Sequence, residues 1–268
     1  MTAVTAPRAA RGRGRSALLG LAGLATFALV LEVAPRLGVV PRDYAPPTSR
    51  ILAAVGDQLG RPEFWAALRD TLVTWGIGLA VATVAGIVAG VVIGAIPFLR
   101  AATATTIEFL RPIPSVALIP LVIVLYGSTI RSTVVLVVYA AFWQVLVQVL
   151  YGVADVDPIA DETARSFRFG PWARVRHVLW PTALPYVFTG VRLAASVALV
   201  LAVTAELVIG APGLGKSIAV AQTSGAVPLM YALIAVTGLL GVAINLAARV
   251  FERRSLAWHQ SVRGEVPA

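Results

Sequence analysis

Long uncharged stretches dominate the chain and alternate with short segments in which the charged residues cluster. A membrane-crossing helix needs about 20 mostly apolar residues, because the hydrocarbon layer is about 30 Å thick and a helix rises about 1.5 Å per residue. Six stretches meet this requirement, and they predict spans at residues 17–34, 71–97, 104–126, 130–152, 182–209 and 227–249. We therefore predict an all-α membrane protein with six transmembrane helices.

Composition supports this class and excludes others. Of the 268 residues, 58% are hydrophobic and 13% are charged, whereas a soluble domain has about 25% charged residues, which excludes an ordinary cytosolic enzyme. The chain has no cysteine and only two histidines, His177 and His259, so disulfides, thiolate sites and imidazole-rich metal sites are excluded. In a membrane protein the net charge of +9 indicates topology and lipid contact, not nucleic-acid binding.

The basic residues also predict the orientation. With both termini inside, fourteen Arg fall in cytoplasmic segments and seven Arg or Lys fall outside, as the positive-inside rule requires. This predicts a multi-pass membrane protein with a basic arm at 1–16, an external amphipathic segment at 35–70, a five-helix core at 71–250 and a cytoplasmic tail at 251–268. A cleavable signal is the alternative for 17–34, but Glu32, Val33 and Pro35 occupy the expected cleavage region.

Two spans carry unusual residues. The second has a small residue at every fourth position: Gly78, Ala82, Gly86, Gly90 and Gly94. Such a stripe allows close helix packing, either within the chain or as a sliding or self-association surface.

The third span begins with Pro112 and Pro114 and continues through Pro120. Each proline removes a backbone donor, so this helix is predicted to start irregularly and to kink. A broken helix is tolerated in lipid only against protein or a water-filled cavity, which favours a transport pathway.

Polar side chains within the spans are candidates for lining that pathway. Gln144 and Gln148 share one face of the fourth span, where they either line the pathway or form interhelical hydrogen bonds. The fifth span carries Arg192, Ser196 and Glu206, and an ionisable residue within a span is a functional candidate.

The segment from Gly210 to Ser217 matches the phosphate-binding pattern G-x-x-x-x-G-K-[ST]. That motif needs a preceding strand and a soluble α/β domain, but here a predicted span precedes it and the loop falls outside the cell. We therefore interpret these glycines as a turn after the fifth span.

Residues 155–176, on the predicted cytoplasmic side, contain strong signals for a helix. Asp157 is a good N-cap, Pro158 suits the first helical position, and Asp161 and Glu162 lie in the first turn, where the helix dipole favours anions. Gly170 is expected to end this helix in a left-handed conformation.

A second short helix is predicted to follow from about residue 172 and to end at Pro181. The result is a compact helix–turn–helix that is available to a soluble partner.

This segment resembles the cytoplasmic coupling motif of ATP-binding cassette importer permeases, in the nitrate/sulfonate/taurine branch. Glu162-Thr163-Ala164, Gly170 and the sequence from Val178 to Pro181 carry the motif, with Thr163 in place of the usual alanine. The resemblance extends over about 60–255 and includes residues 111–121, 126–127, 189–193, 205–207 and 212–215.

The resemblance implies a type I importer permease fold that acts as a homodimer in the bacterial plasma (inner) membrane. Separate ATPase subunits would bind ATP and magnesium, and an external substrate-binding protein would deliver a small sulfonate-, nitrate- or taurine-like anion or a related molecule. This chain would be no enzyme and would hold no cofactor. The implied coupling residues are Asp161, Glu162, Thr163, Ala164, Arg165, Phe169 and Gly170.

A secondary carrier or channel that needs no ATPase is the alternative. The spans lack the acidic or histidine relay that proton-coupled carriers usually need.

Overall fold

The computed structural model describes residues 12–39, 41 and 44–256, and in this part of the chain all regular structure is helical. The helices, in chain order, are α1 (Gly12–Arg36), α2 (Thr48–Leu59), α3 (Pro62–Ala95), α4 (Pro97–Leu110), a 3₁₀ turn (Ser115–Leu118), α5 (Ile119–Tyr126), α6 (Ile130–Ala154), α7 (Pro158–Ser166), α8 (Pro171–Arg174), a π-helical turn (Val175–Leu179), α9 (Trp180–Ile209), α10 (Leu214–Thr223) and α11 (Val227–Ser255).

Four of the described helices are long and apolar enough to cross a membrane: Pro62–Ala95, Ile130–Ala154, Pro171–Ile209 and Val227–Ser255. A fifth span is possible if α4 and the Ser115–Tyr126 segment, bent by 80° relative to each other, form one broken crossing. These helices cover five of the six predicted spans. The remaining predicted span, 17–34, coincides with α1, but α1 is not among the helices that are long and apolar enough to cross a membrane. The count of six spans is therefore not confirmed.

The N-terminal boundaries differ from those predicted. Helix α1 begins at Gly12, so residues 12–16 of the predicted basic arm are helical; the rest of the arm and residues 257–268 of the tail lie outside the described residues. Helix α3 begins at Pro62 and therefore includes the end of the predicted external segment. Pro at the first helical position lets this helix start early. The rest of that segment contains α2, which has no fully buried residue.

The core forms where α3, α6 and α9 pack side by side. The small residues of α3 face a row of valines on α6. A Cβ added to Gly86 would lie 2.8 Å from Val145 Cβ, and one added to Gly90 would lie 2.6 Å from Val149 Cγ1. The stripe is therefore used for packing within the chain, which was the first of the two predicted uses.

The two ends of this bundle carry different elements. At one end Gly94 of α3 meets Val153 of α6, next to α7 and α8. At the other end the start of α3 packs with α10 and α11 through Phe64, Leu214 and Leu233.

The irregular third span is confirmed. Pro114 caps the 3₁₀ turn, and Pro120 lies in the first turn of α5. The missing donors and the fixed proline geometry explain why α4 does not continue into α5.

Candidate functional site

Helix α7 begins as the sequence predicts. The Asp157 carboxylate accepts a hydrogen bond from the Ile159 backbone N–H at 2.9 Å, and Pro158 occupies the first turn. Thr163 faces back along the helix and donates its hydroxyl proton to the Ile159 carbonyl at 2.7 Å. Ala164 is the only residue of α7 that is fully buried, so one small side chain seats the helix on the rest of the protein.

The end of α7 differs from the prediction. Gly170 is extended, with φ −65° and ψ 165°, and the left-handed residue is Arg168, with φ 58°. The Phe169 N–H donates to the Ala164 carbonyl and the Arg168 N–H to the Arg165 carbonyl, both at 2.9 Å, which is the Schellman pattern. Because Pro171 disfavours a helical conformation at the preceding residue, the reversal occurs two residues before Gly170.

Asp161 joins the two short helices into one unit. Its carboxylate accepts hydrogen bonds from Arg174 Nε at 2.8 Å and from Arg165 Nη2 at 2.8 Å. The hydrogen bonds from Arg174, with a further contribution from Arg165, hold the pKa of Asp161 below its ordinary value. Sequence reasoning identified Asp161 and Arg165 but missed Arg174, which is thirteen residues away from its partner. We call residues 157–174 the α7–α8 hairpin.

The hairpin continues directly into the longest helix of the bundle. The predicted end at Pro181 is wrong: the chain is helical without a break from Pro171 to Ile209. A wider π-helical turn precedes the proline, and the Trp180 N–H donates to the Val175 carbonyl. This wider turn allows the helix to continue through Pro181, which has no backbone N–H to donate.

Large apolar side chains are exposed on the hairpin. Ile159 is 72% exposed, Phe167 74% and Trp172 75%, while Glu162 is exposed beside them. Phe169 is partly covered by the His177 ring, with 6.2 Å between the two ring centres. Three exposed apolar side chains on so small an element are typical of an interaction site. Sequence reasoning named Glu162, Phe169 and Gly170 but missed the exposed Ile159 and Phe167.

The polar residues of the spans fall into different environments. Arg192 pairs with Glu252 of α11, with 3.0 Å between Nη1 and Oε2, so its charge is already balanced. Gln144 and Gln148 are half-buried on α6, and their side chains make no hydrogen bond to any residue that the structure describes. Ser196 is exposed and lines a mostly apolar groove between α9 and α11.

Glu206 is fully buried, so the structure places it inside the helix packing and not on an exposed face. Its Oε2 accepts hydrogen bonds from the Thr71 hydroxyl at 2.8 Å and the Gly215 N–H at 3.0 Å. Thr71 in turn accepts from the Leu214 N–H at 2.8 Å. A Cβ on Gly213 would lie 2.1 Å from the Glu206 carboxyl carbon, so glycine is required for the turn to close over this side chain.

The same contacts explain the phosphate-loop match. A phosphate loop needs free backbone N–H groups to hold the phosphates, but the N–H groups of Leu214 and Gly215 already donate to Thr71 and Glu206. This supports the interpretation of the motif as a turn.

Comparison with known proteins identifies the family. Residues 82–256 match the family described as binding-protein-dependent transport system inner membrane component. The chain belongs to this family. It is thus a membrane transport component and not an enzyme, as the sequence predicts.

The chain is also similar to individual permeases. It is 28% identical to the taurine transport system permease protein TauC of Escherichia coli (strain K12), over 93% of this chain and 92% of that protein. It is 26% identical to the putative aliphatic sulfonates transport permease protein SsuC of Bacillus subtilis (strain 168), over 91% and 89% of the two chains.

Solved structures show the same fold. An amino acid ABC transporter crystallised with histidines matches with a TM-score of 0.60 at 20% identity, over 72% of this chain and 94% of that chain. An inward-facing form of the MetNI methionine ABC transporter matches with a TM-score of 0.55 at 21% identity, over 78% and 97%. The predicted type I importer permease fold is confirmed.

Proposed function

We propose that the α7–α8 hairpin is the docking site for a separate ATPase and that this chain forms the membrane pathway of an ATP-driven importer. The observation that carries the proposal is the combination of an exposed apolar surface, at Ile159 and Phe167, with an unbroken helical connection to the core. Family membership supports a transport role, and the hairpin supplies a place where a motor can act on the spans.

The connection allows movement of the hairpin to reach the pathway. The Asp161 ion pairs hold α7 to α8, and α8 continues into α9. Helix α9 packs against α6 within the core. A displacement of the hairpin by a partner is therefore passed to α9 as a rigid-body movement, the kind of motion that alternating access requires.

The proposal includes the assembly and its orientation. Two copies of this chain would enclose the pathway, with both termini in the cytoplasm. ATP and magnesium would be bound by the ATPase subunits, and a substrate-binding protein would deliver the solute from outside. The excess of arginine in the predicted inside segments supports this orientation.

We propose a small sulfonate-, taurine- or nitrate-like anion as the solute, on the basis of the permeases to which the chain is similar. Arg192 adds no argument for an anion, because Glu252 balances its charge. Gln144, Gln148 and Ser196 are the proposed pathway residues, since their side chains are partly exposed or free to bind solute. Glu206 is proposed instead to fix the turn after α9.

Uptake measurements test the proposal. The gene is deleted in its host and replaced by variants, and uptake of labelled taurine, ethanesulfonate and nitrate is measured. We expect deletion to abolish uptake of at least one anion, and Phe167→Ala, Glu162→Ala and Gly170→Asp to reduce it while the membrane content of the chain is unchanged. A control is Val220→Ala, at an exposed apolar residue of α10, at the other end of the bundle.

Three results separate the parts of the proposal. Unchanged uptake of all three anions after deletion contradicts the solute class. Normal transport after removal of residues 157–176 contradicts the coupling role. Gradient-driven uptake by the purified chain alone in vesicles contradicts the need for an ATPase and indicates a secondary carrier or channel.

A further inference from the structure

We propose that an anionic phospholipid binds between α3 and the α7–α8 hairpin, with its phosphate in an arginine-lined cavity and an acyl chain along the adjoining apolar groove. This inference goes beyond the transport function and does not depend on it. It rests on two neighbouring cavities whose chemistry differs in the way that the two parts of a phospholipid differ.

The first cavity has a volume of about 400 Å³ and lies between the end of α3, the start of α4 and the hairpin. Arg100, Arg165 and Arg174 line it, and Asp161 is the one acidic residue among its lining residues. Two positive charges therefore remain in excess, which suits a phosphate group.

The arginines still have donors available. Arg165 and Arg174 each use Nε and Nη2 on Asp161, and Arg100 uses Nη2 on the Gly94 carbonyl. Their Nη1 groups make no hydrogen bond to the part of the chain that the structure describes. A guanidinium carries five N–H donors, so three arginines can bind an anion without losing their present contacts.

The second cavity is an apolar groove of about 580 Å³. It shares Val175 with the first cavity and follows the preceding turns of α3. Two tryptophans form its other wall, and its lining residues are Ile87, Val88, Val91, Val92, Trp172, Val175, Arg176 and Trp180. An acyl chain fits such a surface, whereas a free phosphate ion would leave it uncovered.

The position of the two cavities agrees with this ligand. They lie at the end of the bundle that the arginine distribution assigns to the cytoplasm, where the inner leaflet carries anionic lipid. Tryptophans such as Trp172 and Trp180 are enriched at the level of the lipid headgroups. A lipid bound here contacts both α3 and the hairpin, and it therefore braces the docking element against the core.

Lipid binding to the purified full-length chain tests the inference. Native mass spectrometry in detergent compares dioctanoyl phosphatidylglycerol with dioctanoyl phosphatidylcholine, which has the same chains but no net charge. We expect tighter binding of phosphatidylglycerol. Loss of one arginine at a lipid headgroup should weaken phosphatidylglycerol binding about fivefold, and we expect this decrease for Arg100→Gln. Arg131→Gln, an equal change of charge on an exposed residue of α6, should leave the binding unchanged.

Trp172→Ala tests the groove. It should weaken phosphatidylglycerol binding, whereas Trp65→Ala, on an exposed residue of α3, should not. Equal binding of the two lipids, or no effect of Arg100→Gln, overturns the inference. Displacement of the lipid by millimolar inorganic phosphate indicates a free-phosphate site and also overturns it. If Trp172→Ala weakens self-association of the chain but leaves lipid binding unchanged, the groove is a contact between two copies of the chain, and the inference is again overturned.

Discussion

The contact between α3 and α6 makes a sharp prediction at Gly90. An alanine Cβ at this position would lie 2.6 Å from Val149 Cγ1 and 2.7 Å from Val149 Cβ, whereas carbon atoms in normal contact are about 3.5–4.0 Å apart. Rotation of the valine can move Cγ1 but not Cβ, because Cβ is fixed by the backbone. Relief therefore requires the two helices to separate.

Overpacking of this kind costs about 1–3 kcal/mol, and the fixed Cβ places Gly90→Ala in the upper half of that range. The matched control is Gly76→Ala on the same helix, where an added Cβ meets no atom within 4 Å. Both variants gain the same helix propensity, about 1 kcal/mol, so the difference between them measures the packing penalty. Reversible unfolding of the purified chain in detergent gives both free energies.

A double-mutant cycle distinguishes packing from other causes. Val149→Gly removes both contacting atoms, so Gly90→Ala should become neutral or stabilising in that background, with a coupling free energy of about 0.5–3 kcal/mol. Equal stability of Gly90→Ala and Gly76→Ala, or an absence of coupling to Val149, would refute the close approach of α3 and α6.

Three further predictions concern single side chains. Thr71→Val should destabilise the chain by about 1–3 kcal/mol because it leaves buried polar groups unpaired. Thr74→Val, which removes a buried hydroxyl with no partner among the described residues, should not, and unfolding in detergent compares the two variants. Arg168→Gly should stabilise α7 by about 1 kcal/mol because glycine adopts the left-handed conformation without strain. The gain should be measured as higher amide-exchange protection of α7. The pKa of Asp161 is lowered in the folded state, so its ion pairs should contribute their full stability above the ordinary aspartate range and lose it as the pH falls through the lowered pKa. Amide-exchange protection of the hairpin should therefore fall only in acid, and Asp161→Asn should lack this contribution at every pH.

Features set by local chemistry could be predicted from the sequence. The N-cap at Asp157 and the kinked third span depend on residues close together in the chain, and the structure confirms both. The spacing of the small residues on α3 is local too and indicates close packing, but the valines of α6 that they meet are distant in the chain. Features that depend on competition between neighbouring signals could not. Pro171 acts on Gly170 and moves the left-handed position to Arg168, and the π-helical turn absorbs the break expected at Pro181.

Contacts between distant residues were also beyond sequence reasoning. The Arg192–Glu252 pair joins residues 60 apart, and the Thr71–Glu206 hydrogen bond joins residues 135 apart. In each pair one residue, Arg192 or Glu206, was predicted as a pathway candidate, and its partner was not singled out. Only the packing of α9 against α3, α10 and α11 shows that Arg192 is neutralised and that Glu206 is enclosed.

Cross-linking at the hairpin tests the central claim most directly. Because the chain contains no cysteine, Phe167→Cys gives a single attachment site for a photoactivatable cross-linker in membranes that contain the whole transport system. We predict a cross-link between Phe167→Cys and an ATPase subunit whose yield changes with bound nucleotide, and none from Lys216→Cys at the other end of the bundle. Labelling of Phe167→Cys by a membrane-impermeant reagent in intact cells, without a cross-link to any ATPase, would contradict the account.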